Sequence, residues 1–124
     1  MSVSCDCEGV GAAPVVTPNI GIVASTDILA ADQASVDLVY ALKDSDHKDL
    51  VERIETRHGL RQLSYMKEMH MGNDRYHLIN IDEDDKEILP ADASQSVCSA
   101  SFSMPNFPSV SGDKPEIVRY NKIE

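Results

Sequence analysis

The clearest pattern of apolar and polar positions runs from residue 19 to residue 42. Ile20, Ile22 and Val23 form a short apolar run, with Pro18 before it and residues 25–27 after it. A short apolar run between turn-forming residues is typical of a covered β-strand. A helix is predicted to follow directly, with Ser25 or Thr26 accepting a backbone N–H as N-cap and Asp27 in the first turn, at the positive end of the helix dipole.

At 100° per residue, this predicted helix is amphipathic. An acidic residue, Asp32, falls within its apolar side. A buried, unpaired carboxylate costs several kcal/mol, so we expect Asp32 to be a structural carboxylate that is hydrogen-bonded to its neighbours. The alternative places it at the mouth of a site. The apolar side consists of Ile28, Ala31, Ser35, Leu38, Val39 and Leu42, and the residues predicted to point away are Ala30, Gln33 and Asp37.

Two more helices are predicted between residues 46 and 71. Asp46 followed by Asp49 resembles a capping box, and this helix is expected to end near Gly59, since glycine is disfavoured inside helices by about 1 kcal/mol. The third helix is expected over residues 60–70, with Gly72 as the left-handed residue beyond its end. Their predicted buried side chains are Leu50, Val51 and Ile54 in the second helix, and Leu60, Leu63, Met66 and Met69 in the third.

A second strand is predicted over residues 75–81, parallel to the first and beside it, because strands joined through helices favour right-handed parallel crossovers. The expected fold class is therefore α/β: a small, incomplete parallel or mixed sheet of two to three strands packed with about three helices. Residues 1–18 are predicted to be an extended loop, residues 19–85 the α/β domain, and residues 86–124 an irregular or partly disordered Ser/Pro-rich tail in which residues 116–120 could add a short strand. Such a thin sheet is expected to be extended by a partner or a missing segment.

Composition limits both the core and the partners. The 124 residues allow one domain, and 42% hydrophobic but only 5% aromatic residues, with no Trp, indicate a small aliphatic core. The formal net charge of -10 would repel nucleic acid and anionic membranes, so we expect neither as a partner. Since no targeting segment or membrane span is recognisable, we expect a cytoplasmic protein. The acidic residues 82–85 lack the spacing of a calcium-binding loop and are predicted to be a solvated turn.

The cysteines are the candidate metal ligands. Thiolates select zinc, copper(I) and iron–sulfur centres, and Cys5 and Cys7 are close enough to hold a soft metal together. The chain has 3 cysteines, however, whereas a conventional cluster or four-thiolate zinc site takes four. No catalytic constellation is complete, so no enzyme class is assigned. The other candidate site residues are Asp6, Ser25, Thr26, Asp27 and Asp32.

Two blocks of the chain resemble the C-terminal part of the bacterial and archaeal proteins described as uncharacterised Fe-S centre proteins, a family built on a domain of unknown function. The first block comprises residues 5–7, 18–27, 31–34 and 37–39, and the second comprises residues 61–66 and 71–79. The resemblance implies a parent family with iron–sulfur clusters held by ferredoxin-like Cys-x-x-Cys-x-x-Cys runs. Those runs and the family's long N-terminal portion are absent from this sequence.

The resemblance implies an accessory role: a C-terminal fragment or subunit that takes part in redox or metal chemistry carried by the missing segments. The isolated chain is then expected to hold no cofactor, and its partner would be a separate N-terminal-type subunit or a second copy. The alternative is a small acidic interaction domain with no catalytic or metal role. A third hypothesis is a self-contained thiol-metal protein that uses Cys5 and Cys7.

Overall fold

The computed structural model describes residues 10–11, 17–95 and 115–122. Within these ranges the chain forms a sheet with helices packed on it. The strands are β1 (Gly21–Ala24), β2 (Tyr76–Asn80), β3 (Lys86–Ile88) and β4 (Glu116–Lys122), and the helices are α1 (Ile28–Tyr40), α2 (Asp44–Thr56), α3 (Leu60–Glu68) and α4 (Pro90–Gln95).

The sheet is mixed and has the strand order β1-β4-β2-β3. β4 pairs antiparallel with β1, with Val23 opposite Tyr120, and parallel with β2, with Leu78 opposite Val118. β3 pairs antiparallel with β2 on the other side. The α/β class is therefore confirmed, and the sheet has four strands instead of the two to three expected.

The predicted pairing of the first and second strands is wrong, because β4 lies between β1 and β2 and the two run in opposite directions. The predicted irregular region, residues 86–124, contributes β3, α4 and β4. The short strand expected over residues 116–120 is confirmed and continues to Lys122. A local pattern shows that a segment is extended, but it does not show which strand is its neighbour.

Helix α1 covers one face of the sheet, and α2, α3 and α4 pack against α1. Ala30 and Ala34 are fully buried, and their small side chains let the helix lie close to the strands. Tyr120 is also buried, and its hydroxyl donates to the Ile20 carbonyl oxygen at 3.0 Å. The other buried apolar residues of this core include Leu38, Val39, Leu42, Leu78, Ala93 and Val118.

The orientation of α1 differs from the prediction in the first half of the helix, whereas the predicted burial of Leu38, Val39 and Leu42 is confirmed. Ile28 is 58% exposed and Ser35 is exposed, whereas Ala30 is fully buried and Asp37 is half-buried. The helix has two arcs of apolar positions, and the periodicity does not reveal which arc faces the sheet. The arc that contains Ala30 and Ala34 is the one that packs there, since small side chains allow the closer approach.

The start of α2 also differs, because the helix begins at Asp44 with Lys43 as N-cap and no side-chain capping bond. Asp46, predicted to be a cap, lies inside the first turn, where it accepts a hydrogen bond from Ser45 Oγ at 3.0 Å. The predicted apolar side of this helix, Leu50, Val51 and Ile54, is confirmed: all three are partly buried against the core.

Helix α3 ends earlier than predicted. His70, with φ 55°, is the left-handed residue after the helix, the role assigned to Gly72. The N–H groups of His70 and Met71 donate to the carbonyls of Lys67 and Met66, both at 3.0 Å, which is the Schellman arrangement. Of the four side chains predicted to be buried here, Met66 is buried, Leu63 is half-buried, and Leu60 and Met69 are 41% and 59% exposed.

The acidic segment 82–85 is an exposed turn between β2 and β3, as predicted. Asp84 and Asp85 have φ values of 53° and 57°, and Lys86 N donates to Glu83 O at 3.1 Å, the pattern of a type I′ turn. Asp82 accepts from Asn121 Nδ2 at 3.1 Å and from the Lys122 backbone N–H at 3.2 Å. The turn is therefore hydrogen-bonded to β4.

Candidate functional site

The candidate residues Cys5, Asp6 and Cys7 lie outside the described residues, and so does the third cysteine, Cys98. The described part of the chain contains no group of three His, Cys, Asp or Glu side chains that could hold a metal ion. Among the described residues, no helix has both the length and the apolar character needed to cross a membrane.

Asp27 is the N-cap of α1, the role predicted for Ser25 or Thr26. One carboxylate oxygen accepts from Ala30 N at 3.0 Å, and the other accepts from Asn73 N at 2.8 Å. A β-carbon on Gly72 would collide with this carboxylate, so only glycine fits at that position. Asp27 thus joins the start of α1 to the loop before β2, which is a structural role.

Ser25 supports the same junction. Its hydroxyl donates to Ile117 O at 3.0 Å and accepts from Asp27 N at 3.1 Å, so it connects β1, α1 and β4. Thr26 is exposed beside it. The structure therefore brings Ser25 and Asp27 together, but as a hydrogen-bonded connection between elements, and the prediction that Ser25 or Thr26 is the N-cap is wrong.

Asp32 is half-buried on α1. No hydrogen bond or ion pair joins its carboxylate to another described residue. The partner expected for a structural carboxylate is therefore not found in the described part of the chain. This result follows from the orientation of α1, which turns the arc containing Ile28 and Asp32 away from the sheet.

Asp37, predicted to point away from the apolar side, is the carboxylate that pairs. It accepts from Tyr76 Oη at 2.6 Å and from Gln33 Nε2 at 2.9 Å. Burial raises the pKa of Asp37, and the hydrogen bonds from Tyr76 and Gln33 partly oppose that rise. Burial and the neighbouring Asp37 charge raise the pKa of Tyr76, so the shared proton stays on the phenol. The contact fixes α1 to β2.

The face of the sheet opposite α1 is open in the described structure. Ile22 is 60% exposed, Ile117 55% and Ile81 44%. The basic side chains among these isoleucines have carboxylate neighbours, since His77 contacts Glu87 and Arg119 Nη1 lies 3.3 Å from Asp85 Oδ1. We define the open face as Ile22, His77, Ile79, Ile81, Ile117 and Arg119.

A groove of about 290 Å³ lies between β1 and α1. It is separate from the open face, since Val23 of β1 points to the helix side whereas its neighbour Ile22 points to the other side. The groove is lined by Asn19, Ile20, Gly21, Val23, Ser35, Leu38 and Val39, none of which is charged.

Sequence reasoning missed Asp37, Tyr76 and the open face. The sequence of residues 76–81 does not alternate in a way that indicates the open face, because the polar Asn80 is buried whereas the apolar Ile81 is exposed. No sequence signal pairs Asp37 with Tyr76, which lie far apart in the chain.

Comparison of the chain with protein-family models, with curated proteins and with solved structures found no match. The resemblance to Fe-S centre proteins therefore stays a prediction.

Proposed function

We propose that this protein is a small acidic interaction domain that contacts a partner protein through the open face. The observation that carries the proposal is the set of exposed isoleucines on that face, of which Ile22 and Ile117 are each more than half exposed. Fully burying an exposed apolar side chain of this size is worth about 1.5–3 kcal/mol, and covering each of these partly exposed isoleucines would supply part of that, which gives a reason for another protein to cover this face.

The charges of the open face are compatible with such a contact. His77 and Arg119 already have the partners Glu87 and Asp85, so the face has little unpaired charge, although the whole chain has a formal net charge of -10. These pairs lie among the isoleucines, since Arg119 is on the central strand β4 and His77 is opposite Ile117, so the contact would combine apolar and polar groups. Direct contact with nucleic acid remains disfavoured by the overall charge.

Site-specific photo-crosslinking tests this proposal. A photoreactive amino acid at position 117 should capture a defined protein from source cells, and an excess of unlabelled chain should compete. The Ile22→Asp substitution should reduce capture at least tenfold, since it places a charge in the buried contact. The matched control is the same photoreactive residue at Glu52, which is exposed on α2. Capture no stronger at 117 than at 52 would reject the open face as the contact surface.

The accessory role beside an iron–sulfur protein is the second proposal, and the Cys-Asp-Cys element at residues 5–7 together with the family resemblance favours it. Since the chain has 3 cysteines, we expect the isolated protein to be colourless after anaerobic purification. Elemental analysis and a visible spectrum check this expectation. Stoichiometric iron with absorbance that disappears in Cys5→Ser or Cys7→Ser would instead support the self-contained metal protein.

A further inference from the structure

Strand β1 is an edge strand. It pairs with β4 on one side, and no described strand lies on its other side. Its four residues, Gly21–Ala24, carry no charge that would discourage a further strand. The unpaired N–H and C=O groups of an exposed edge are a template for pairing with another extended chain.

The groove lies directly beside this edge. Gly21 is one of the lining residues, and only glycine fits there, because a β-carbon would collide with the Tyr120 ring and approach Asn121 O to 2.5 Å. Val23, Leu38 and Val39 give the groove an apolar lining, and Ser35 lies at its rim, exposed on α1. A strand added beside β1 would direct alternate side chains into this groove.

Asp32 is a carboxylate on α1 that lies outside the set of residues lining the groove. It precedes Ser35 by three residues, so the two share a side of α1. No described residue pairs with its carboxylate, and the cation Lys122 is at the other end of β1, opposite Gly21. The apolar groove is therefore followed by an acidic position near the Ala24 end.

We infer that the β1 edge and the groove bind an extended segment of another protein, with an apolar side chain in the groove and a Lys or Arg two residues further along at Asp32. Side chains two apart in a strand lie about 6.7 Å apart on one face, close to the rise of one helical turn, about 5.4 Å. Strand addition with side-chain selection by a pocket is a known mode of peptide recognition. A second copy fits less well, because the chain has a net charge of -10 and would bring a second Asp32 to the contact.

A titration followed by NMR tests the inference. The probe is a ten-residue peptide with valine at alternate positions of its first half, lysine at alternate positions of its second half and threonine elsewhere. A matched peptide has glutamate for lysine. We expect the lysine peptide to bind the full chain, with amide shifts at Ile22, Val23 and Ser35, and the glutamate peptide to bind at least threefold more weakly.

Two substitutions separate the groove from the charge. Ser35→Trp should fill the groove and weaken both peptides at least tenfold, and Asp32→Lys should reverse the preference between them. Asp49→Lys, a charge reversal at an exposed position on α2, should change neither the affinity for the peptides nor the preference between them. Equal urea midpoints would show that all variants are folded. Unaltered binding by Ser35→Trp, an unaltered preference in Asp32→Lys, or no binding below about 1 mM would overturn the inference. A further result would also overturn the inference: removal of residues 1–16 shifts the amide resonance of Ser35, and only the shortened chain binds the peptide. The protein's own N-terminal segment would then be the occupant of the groove.

The groove and the open face are separate surfaces, so their tests are independent. The photoreactive residue at 117 reports on the open face, and Ser35→Trp leaves that face unchanged. The inference rests on the proposed function only in that both assign the protein a role in binding.

Discussion

At the scale of single residues, the two carboxylates of α1 have exchanged the roles that periodicity gives them. Asp37 accepts hydrogen bonds from Tyr76 and Gln33, whereas the carboxylate of Asp32 has no partner among the described residues. The sequence locates both acids on the helix correctly. The packing of Ala30 and Ala34 against the strands decides which arc of the helix meets the sheet. That packing is a tertiary contact, which the local sequence pattern does not contain.

We therefore predict that Asp37→Ala destabilises the protein by about 1–3 kcal/mol at neutral pH, because the half-buried Tyr76 hydroxyl loses its acceptor. Asp32→Ala should cost less than about 0.5 kcal/mol. Urea unfolding of both variants measures the two free energies. A double-mutant cycle with Tyr76→Phe should give a coupling of about 0.5–3 kcal/mol between Asp37 and Tyr76. Additive effects in that cycle would contradict the importance of the contact.

The same carboxylate should make stability depend on pH. Burial raises the folded-state pKa of Asp37 above its ordinary value of 3.8, so between the two values the folded state retains a proton that the unfolded state has released. This contribution to stability is complete below the unfolded pKa and is lost as the pH rises through the folded pKa. The free energy of unfolding of the native protein minus that of Asp37→Asn should accordingly fall as the pH rises from below 3.8 through the folded-state pKa of Asp37. A difference that rises with pH would show that hydrogen bonding outweighs desolvation, and a constant difference would show that the two effects balance.

At the scale of elements, the sequence predicted β1, α1, α2, α3 and β2 well, because each has a local apolar pattern of the right period. Helix ends were less predictable. Both α2 and α3 end with a histidine at φ 55°, a conformation in which glycine is the residue usually found. The left-handed residue after α3 was therefore predicted to be Gly72, two residues beyond His70.

Replacing these histidines by glycine should stabilise the protein. A residue other than glycine in the left-handed region costs about 1–2 kcal/mol, and glycine's greater entropy in the unfolded chain offsets part of that gain. We predict that His58→Gly and His70→Gly each raise the free energy of unfolding by about 0.5–1 kcal/mol. Thermal unfolding measures the change.

Arg57→Gly is the matched control for His58→Gly. Arg57 is the C-cap of α2 with φ -95°, so glycine relieves no strain there and only increases the entropy of the unfolded chain. The Arg57→Gly substitution should therefore lower the free energy of unfolding. A similar gain at positions 57 and 58 would show that loss of a side chain, not relief of backbone strain, is responsible.

At the scale of the whole molecule, the sheet joins strands that are distant in sequence. β4 is the last strand in the chain, yet it lies between β1 and β2 and pairs with both. Its side chains Val118 and Tyr120 are part of the core beneath α1. The order of strands in a sheet depends on these long-range contacts, which explains why a division of the chain after residue 85 was predicted although β4 completes the core.

The central position of β4 makes residues 115–124 necessary for folding. We predict that a chain ending at Lys114 shows no cooperative urea transition, because β1 and β2 lose their common neighbour and α1 loses the surface formed by Val118 and Tyr120. A synthetic peptide of residues 115–124 added in trans should restore the transition. Far-ultraviolet circular dichroism measures this recovery. The expected recovery is concentration-dependent, since the peptide binds only the folded form.

Two altered peptides make this test specific to the packing of β4. Val118→Asp puts a charge in the fully buried position under α1 and should abolish recovery. Ile117→Asp changes the neighbouring side chain, which lies on the open face and is 55% exposed. The free energy with which this second peptide binds should stay within about 1 kcal/mol of that of the unaltered peptide. Equal recovery with both peptides would mean that backbone pairing alone holds β4 in place. A cooperative transition in the chain ending at Lys114, without any peptide, would show that residues 19–85 form an autonomous domain after all and that β4 is only an added strand.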